Sequence, residues 1–242
     1  MKGKIKIGWL VASVVMAFVL GAVASMVIFN KKDYTATEIY NKTFNSVVEV
    51  KAYTNVEECG YGSAVCFSRF GYFLTNAHIL TNPSSPSGDA FGYVQIRFPD
   101  MEMYEEAKIV SIDKDKDLAI IKYSGEHELN ALKIKEDYKT GDVCYALGNA
   151  QNYGVSITEG IISKKQTTVK LNNKETNAIQ CDLTIAEGNS GGALLNKNGD
   201  LIGITTFRTK DGFNNVVYGF CFAIEANTII NYISEHMVVV KD

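Results

Sequence analysis

Beyond residue 46 the apolar residues of this chain come in short runs, rich in Val, Ile, Tyr and Phe and closed off by Gly, Asn, Asp or Ser. Runs of this length and β-branched character fit strands that are buried on one or both faces. They predict strands at Val47–Tyr53 and near 62–68, 72–75, 93–98, 107–112, 118–123, 143–147, 155–163, 166–171, 177–183, 193–196, 201–207 and 216–224. Asn198-Gly199 and Asp211-Gly212 sit between apolar runs as hairpin turns. Two segments follow a helical period instead: a short one opening "KKDYTATEIYNKTFNSVVEVKAY", and "EANTIINYISEH" at 225–236. All three prolines, Pro83, Pro86 and Pro99, fall between residues 83 and 99, where "TNPSSPSGD" reads as a surface loop. Many short strands with few helices predict an all-β sandwich or barrel, and about 200 residues suffice for two small barrels.

The first thirty residues break this pattern. Residues 7–30, "IGWLVASVVMAFVLGAVASMVIFN", carry no charge. As a helix they would span roughly 35 Å, enough to cross a bilayer. Lys2, Lys4 and Lys6 precede them, which orients the N-terminus to the cytoplasm. Ala22-Val23-Ala24 also has the small-residue form of a signal-peptide cleavage site, which would release the rest as a secreted domain. The length of the apolar stretch favours an uncleaved single-pass anchor. The expected organisation is a basic tail and transmembrane anchor over 1–30 and a domain over 31–242 outside the cytoplasm. Three of the 24 Lys and Arg precede the anchor, leaving 21 against 27 Asp and Glu beyond it, a net of −6. With no basic stripe, nucleic acid is not an expected partner.

Candidate chemistry is sparse. The five cysteines, Cys59, Cys66, Cys144, Cys181 and Cys221, are odd in number and lack metal-site spacing. Four lie in apolar runs, where a thiol serves as a small core residue; Cys59 lies in a predicted loop. There are three histidines, His78, His127 and His236, too few for a His-rich metal site. His78 ends the apolar "GYFLTNAHIL", His127 lies in the polar "SGEHELN", and His236 closes the last helix. Asp113, Asp115 and Asp117 alternate as in a calcium loop. That reading fails, because Leu118 stands where the loop needs glycine and Ser124 where it needs glutamate. Asp117 also abuts the buried-looking "LAIIK", where a carboxylate is costly unless hydrogen-bonded. In "IAEGNSGGALLN", residues 185–196, Ser190 sits among three glycines, which cost backbone entropy and leave the main chain bare. A serine hydroxyl becomes a nucleophile when an imidazole takes its proton and a carboxylate orients that imidazole. His78, Asp117 and Ser190 supply that set. The backbone N–H groups of the Gly188, Asn189 and Ser190 stretch would then bind a developing oxyanion.

On these residues the chain resembles the trypsin-like serine proteases of the HtrA (Deg) group. The resemblance is carried by "GSAVCFSRFGYFLTNAHIL", "DKDLAIIK", "GDVCYALGNAQNYGVSITEGIIS", "CDLTIAEGNSGGALLNKNGDLIGITTF" and "GFCFAIEANTI", in the family's order across about residues 37–232. It implies two six-stranded antiparallel β-barrels, at about 37–125 and 138–225, with the active site between them and a C-terminal helix at 225–236. It implies His78 as general base, Asp117 as its orienter and Ser190 as nucleophile, with no cofactor or metal. Substrate would add as a strand along Ile204-Thr205-Thr206, and the first specificity pocket would include Thr184 and Ile185. Thr184 is uncharged, which implies small or medium apolar residues before the cut. The implied substrates are unfolded or exposed segments of exported proteins. A homotrimer through Tyr34, Tyr40 and Phe44 is also implied.

The chain departs from the family at Glu187 and Glu225, where proline is usual, and at Cys221, where glycine is usual. The resemblance covers the protease portion alone, and no PDZ domain is expected in the chain. Two other readings compete. Gly188-Asn189-Ser190-Gly191-Gly192 fits the nucleophile elbow of α/β-hydrolases, with Ser190, Asp211 and His236 in their order, but the following segment reads as a hairpin rather than a helix. A protease-like fold that no longer cleaves, serving as a membrane-tethered peptide-binding or scaffold module, would not need His78, Asp117 and Ser190 together.

Overall fold

The computed structural model describes residues 9, 12–19, 34–54, 58–82, 89–171, 174–210 and 216–237. It divides into two compact units, Met1–Asp33 and Tyr34–Asp242. In the first, residues 12–19 are helical, and Trp9, Met16 and Phe18 are exposed. Among the described residues no helix is long and apolar enough to cross a membrane. Most of the anchor expected over 7–30, and the whole of Asp211-Gly212, lie outside the described residues.

The second unit contains two closed antiparallel barrels of six strands each. The first barrel is β1 (Val47–Tyr53), β2 (Glu58–Ser68), β3 (Tyr72–Thr75), β4 (Tyr93–Arg97), β5 (Glu105–Asp113) and β6 (Leu118–Tyr123). Its strands neighbour one another in the order β1-β2-β3-β6-β5-β4. The second barrel is β7 (Val143–Gly148), β8 (Ser156–Leu171), β9 (Lys174–Cys181), β10 (Ala193–Asn196), β11 (Leu201–Lys210) and β12 (Val216–Glu225), in the order β10-β11-β12-β9-β8-β7. The strands expected separately near 155–163 and 166–171 are one strand, β8. Its register against β9 slips between Ile162 and Thr167, so the polar "SKKQ" marks an irregularity within a strand rather than a turn. Closing each barrel removes the unpaired edges that an open sheet would expose.

Among the described residues three α-helices complete the unit. In α1 (Ala36–Thr43), Thr35 and Glu38 form a reciprocal cap: the Glu38 N–H donates to Thr35 Oγ1 and the Thr35 N–H to Glu38 Oε2. Tyr40 stacks on Phe44 and donates its hydroxyl to the Val155 carbonyl, while Tyr34 is exposed. The single-turn α2 (Ala77–Leu80) follows β3. The last helix, α3 (Ala226–His236), buries Ile229 and Tyr232.

Each barrel has its own apolar filling, and a third cluster runs along the seam between them. There Val47, Val65, Leu74, Leu118 and Ile120 of the first barrel meet Tyr145, Leu147, Ala193, Leu195, Ile204 and Ile224 of the second, with Ile229 and Tyr232 of α3 against both. Each such side chain stabilises by about 1.5–3 kcal/mol when fully buried. The seam therefore fixes the two barrels relative to each other. Chemistry-bearing residues from different barrels can then keep a fixed separation.

Candidate active site

His78 enters the crevice on α2, directly after β3. The strand "YFLT" carries the chain into the barrel, and Asn76 ends it with extended backbone while its side chain donates to the Asp117 carbonyl at 2.9 Å. The imidazole is about half exposed, with a side-chain accessibility of 47%. Asp117 arrives on the β5–β6 turn. Asp113 builds that turn: its carboxylate accepts the N–H groups of Asp115 and Lys116 and the Lys116 ammonium. Burial alone would raise the Asp113 carboxyl, but Lys116 and these backbone donors hold it below its ordinary range. Lys116 also reaches Glu235 of α3 at 3.0 Å. The alternating aspartates are thus a hydrogen-bonded turn. Asp117 itself has a left-handed backbone, φ 53°, which turns its side chain inward until it is 3% exposed.

A buried carboxylate needs donors, and Asp117 has three. The His78 N–H donates to Oδ1 at 3.0 Å, Nδ1 of the ring lies 2.9 Å from Oδ2, and the Thr206 hydroxyl donates to Oδ2 at 2.7 Å. Facing a carboxylate, Nδ1 carries the ring proton, which leaves Nε2 as an acceptor aimed away from Asp117.

Ser190 comes from the second barrel on the loop before β10. The loop turns through Gly188, φ +92°, and Gly191, φ +80°. A side chain at Gly188 would run into the Asn149 carbonyl oxygen, and one at Gly191 into the Ser63 carbonyl oxygen. The Ser63 hydroxyl donates to the Gly188 carbonyl at 2.7 Å and accepts from the Asn149 N–H at 2.8 Å, while the Ser63 N–H donates to the Ser190 carbonyl at 2.9 Å. One residue of the first barrel thereby fastens the loop that presents Ser190. Its role is carried by contacts more than 80 positions away in sequence, so no local pattern announces it.

Thr206 joins the two halves of the site. Its carbonyl accepts the Ser190 hydroxyl at 2.9 Å while its own hydroxyl holds Asp117. Ser190, Asp117 and His78 therefore lie around one residue. In this arrangement the serine hydroxyl bonds Thr206, not the imidazole. Among the described residues, no backbone carbonyl takes up the N–H of Gly188 or Ser190. The Asn189 N–H is used, donating to the Ala186 carbonyl at 3.1 Å, so the Asn189 main chain shapes the loop and gives the crevice no N–H.

The remaining expected site residues divide. Thr184 is exposed and Ile185 is 8% exposed in the cluster that fills the second barrel. Ile204 is fully buried in the seam and pairs with both Ala193 and Ile224. The backbone N–H and carbonyl of Thr205 are taken by Gly192 and Gly191. Neither Ile204 nor Thr205 has backbone groups left to pair with an added strand. The pairs that join β11 to β10 end at Ile204, and the next carbonyl beyond Thr205, that of Thr206, receives the Ser190 hydroxyl.

The other histidines are elsewhere. His127 stacks on Phe98 at 3.8 Å and bonds Asp100, and His236 bonds the Tyr232 carbonyl at the end of α3. The hydrolase order of Ser190, Asp211 and His236 needs a parallel sheet, and the barrels are antiparallel; Asp211 lies outside the described residues. Cys144, Cys181 and Cys221 are buried together in the second barrel, Cys181 and Cys221 as direct cross-strand partners. Hydrogen bonds to Cys144 and Cys221, with burial, push the Cys181 thiol far above its ordinary range. Among the described residues no group of three His, Cys, Asp or Glu side chains is placed to hold a metal ion.

The model of the trypsin-like peptidase domain matches residues 62–204, more than half of the chain and all three of His78, Asp117 and Ser190. The chain belongs to the trypsin-like peptidase family, in its HtrA group. Among HtrA-group relatives it is 31% identical to serine endoprotease DegS of Haemophilus influenzae over 84% of this chain and 58% of that protein. It is 36% identical to periplasmic serine endoprotease DegP of Salmonella typhimurium over 68% of this chain and 33% of that protein. The chain thus spans between a third and three-fifths of these relatives. A solved structure of the HtrA-type protease AlgW with a tripeptide superposes with a TM-score of 0.70 at 30% identity, covering 84% of this chain and 64% of that one. The paired barrels are thus a fold this chain shares with that protease.

Proposed function

We propose that this chain is a serine endopeptidase in which Ser190 is the nucleophile, His78 the general base and Asp117 the group that orients it. The observation that carries the proposal is the convergence on Thr206: one residue bonds both the hydroxyl of Ser190 and the carboxylate that holds His78. Rotation about the Cα–Cβ bond of Ser190 moves its hydroxyl from the Thr206 carbonyl toward Nε2. Catalytic hydrogen bonds are often long or unformed before substrate binds. Ser190 Oγ then attacks the peptide carbonyl carbon and its proton passes to Nε2. The carbonyl oxygen gains the charge and meets the N–H groups of Gly188 and Ser190, each such donor being worth about 3–4 kcal/mol. His78 returns the proton to the leaving amine, and water repeats the sequence on the acyl-enzyme. Asp117 stabilises the transient imidazolium without moving.

Substrate would pair as a strand with β11 beyond Thr205, its side chain before the cut reaching toward Thr184 and Ile185. We further propose unfolded or exposed segments of exported proteins as substrates, residues 7–30 as a membrane anchor with the protease domain outside the cytoplasm, and assembly as a homotrimer. The fold, the kinship with DegS and DegP, and the uncharged N-terminal stretch support these readings. The test is digestion of a denatured protein mixture by the wild type and by Ser190→Ala, with the new termini sequenced. Cleavage by the wild type alone is expected. Equal cleavage by the variant, or none by either, contradicts the proposal.

One observation favours a second reading, a catalytically silent peptide-binding module: the Ser190 hydroxyl is engaged by Thr206. Against it stands the triply hydrogen-bonded buried Asp117, an arrangement that a binding module does not require.

A further inference from the structure

Glu187 immediately precedes Gly188 in the loop that presents Ser190, and no step of the proposed mechanism uses it. Its carbonyl accepts the Gln151 N–H at 2.7 Å, which fixes the main chain, and its side chain is exposed. The carboxylate Oε2 lies 3.4 Å from the Tyr61 hydroxyl, which donates to it. Tyr61 is itself held in place. Its ring packs on the face of Gly188, where an added Cβ would lie 3.2 Å from Cε2. On β2 it sits between Gly60 and Gly62, and these are pressed against the Ile79 carbonyl of α2 and the Ser190 carbonyl, respectively.

These contacts define a side of the crevice. Ser190 lies between two strands: β11, whose Thr206 carbonyl receives its hydroxyl, and β2, whose Ser63 N–H binds its carbonyl. The pocket residues Thr184 and Ile185 and β11 beyond Thr205 serve the acyl half of a substrate. The leaving half must depart past β2, where Tyr61 and Glu187 stand. A carboxylate beside an aromatic ring suits a cation there, by charge and by the ring face, and repels an acidic side chain.

We infer that Glu187, with Tyr61, is a specificity-determining residue that selects a basic side chain, Lys or Arg, among the first positions after the scissile bond. The inference rests on the endopeptidase reading above and adds the substrate chemistry on its leaving-group side.

The experiment uses quenched fluorescent peptides identical before the cut and carrying Lys, Ala or Glu in turn at each of the first three positions after it. Turnover is measured with the wild type, Glu187→Gln and Glu187→Lys at low and high salt. Affinity for the same peptides is measured by fluorescence anisotropy with Ser190→Ala. At one of these positions the wild type should prefer Lys to Glu by about five- to tenfold in kcat/KM, the scale of an exposed ion pair set against an exposed repulsion. Salt should shrink the ratio. Glu187→Gln should bring it near one, and Glu187→Lys should reverse it. A Lys/Glu ratio that is the same in the wild type and Glu187→Gln at all three positions overturns the inference and leaves the peptidase reading standing. Charge-selective binding to Ser190→Ala without wild-type turnover supports the recognition and overturns the peptidase reading. Neither binding nor turnover overturns both.

Discussion

Replacing Thr206 by valine removes one hydroxyl and leaves the rest of the site in place. The Thr206 carbonyl still receives Ser190, and the side-chain shape is nearly kept. The lost bond is the 2.7 Å donation to Asp117 Oδ2, made where both residues are buried, 4% and 3% exposed. The carboxylate keeps its two donors from His78, but one oxygen loses a partner that water cannot replace. A hydrogen bond to a charged group contributes about 1.5–3 kcal/mol. For a domain of this size, about 2–4 °C of melting temperature accompanies each kcal/mol, so Thr206→Val should melt about 3–12 °C lower. If the same energy is lost from the transition state, kcat/KM falls about 10- to 150-fold. KM should change less than kcat, because the hydroxyl touches Asp117 and not the substrate. Thr206→Ser restores the donor and should recover most of both quantities, which separates this effect from a packing defect. Calorimetry and steady-state cleavage of one peptide suffice. A Thr206→Val protein that melts within about one degree of wild type and cleaves within about twofold would refute the claim that Thr206 anchors Asp117.

Gly188→Ala should lower kcat about 10²- to 10³-fold with a reduced melting temperature, because alanine at φ +92° costs about 1–2 kcal/mol and its methyl would displace the loop from the Asn149 carbonyl; an active, equally stable variant would contradict this. Burial raises the Glu225 carboxyl above its ordinary range, the bonds from Gln166 and Asn177 opposing and Glu136 assisting. Since its folded value exceeds the unfolded one, wild-type stability is lost as pH rises from the ordinary carboxylate range through the raised value. The melting temperature of Glu225→Gln should therefore gain on the wild type between about pH 4 and pH 8, and a constant difference would refute the assignment. Cys66, Cys144, Cys181 and Cys221 are all buried, and burial pushes Cys66 up to about 11, with a backbone hydrogen bond at Ser68 opposing. Of the five thiols in the chain, native protein should expose no more than one to a disulfide reagent, and denatured protein all five; two fast native thiols would contradict the packing.

Much of the fold was legible because each strand announces itself locally. The alternation of apolar and polar residues, the Asn198-Gly199 turn and the final amphipathic helix need no distant partner to be read. β8 reads as two strands in the sequence because a register slip and a true turn look alike when polar residues interrupt an apolar run. The single-turn α2 is too short to show a period, so His78 read as the end of a strand. At the site, the glycines around Ser190 and the carboxylate abutting a buried strand were local signals. Ser63 and the double role of Thr206 were not, because hydroxyl bonds to groups distant along the chain leave no trace in spacing. The use of the Thr205 backbone by Gly191 and Gly192 was equally hidden, because only the closed barrel shows that pairing.

The most direct test is covalent labelling by a fluorophosphonate probe, read by intact mass, on folded wild type, His78→Ala and Ser190→Ala. A nucleophile activated by its neighbours predicts one adduct per chain on Ser190 of the wild type, labelling slowed by orders of magnitude in His78→Ala, and none in Ser190→Ala. Folded wild-type protein that stays unmodified, or that labels as fast without the imidazole as with it, would contradict the assignment.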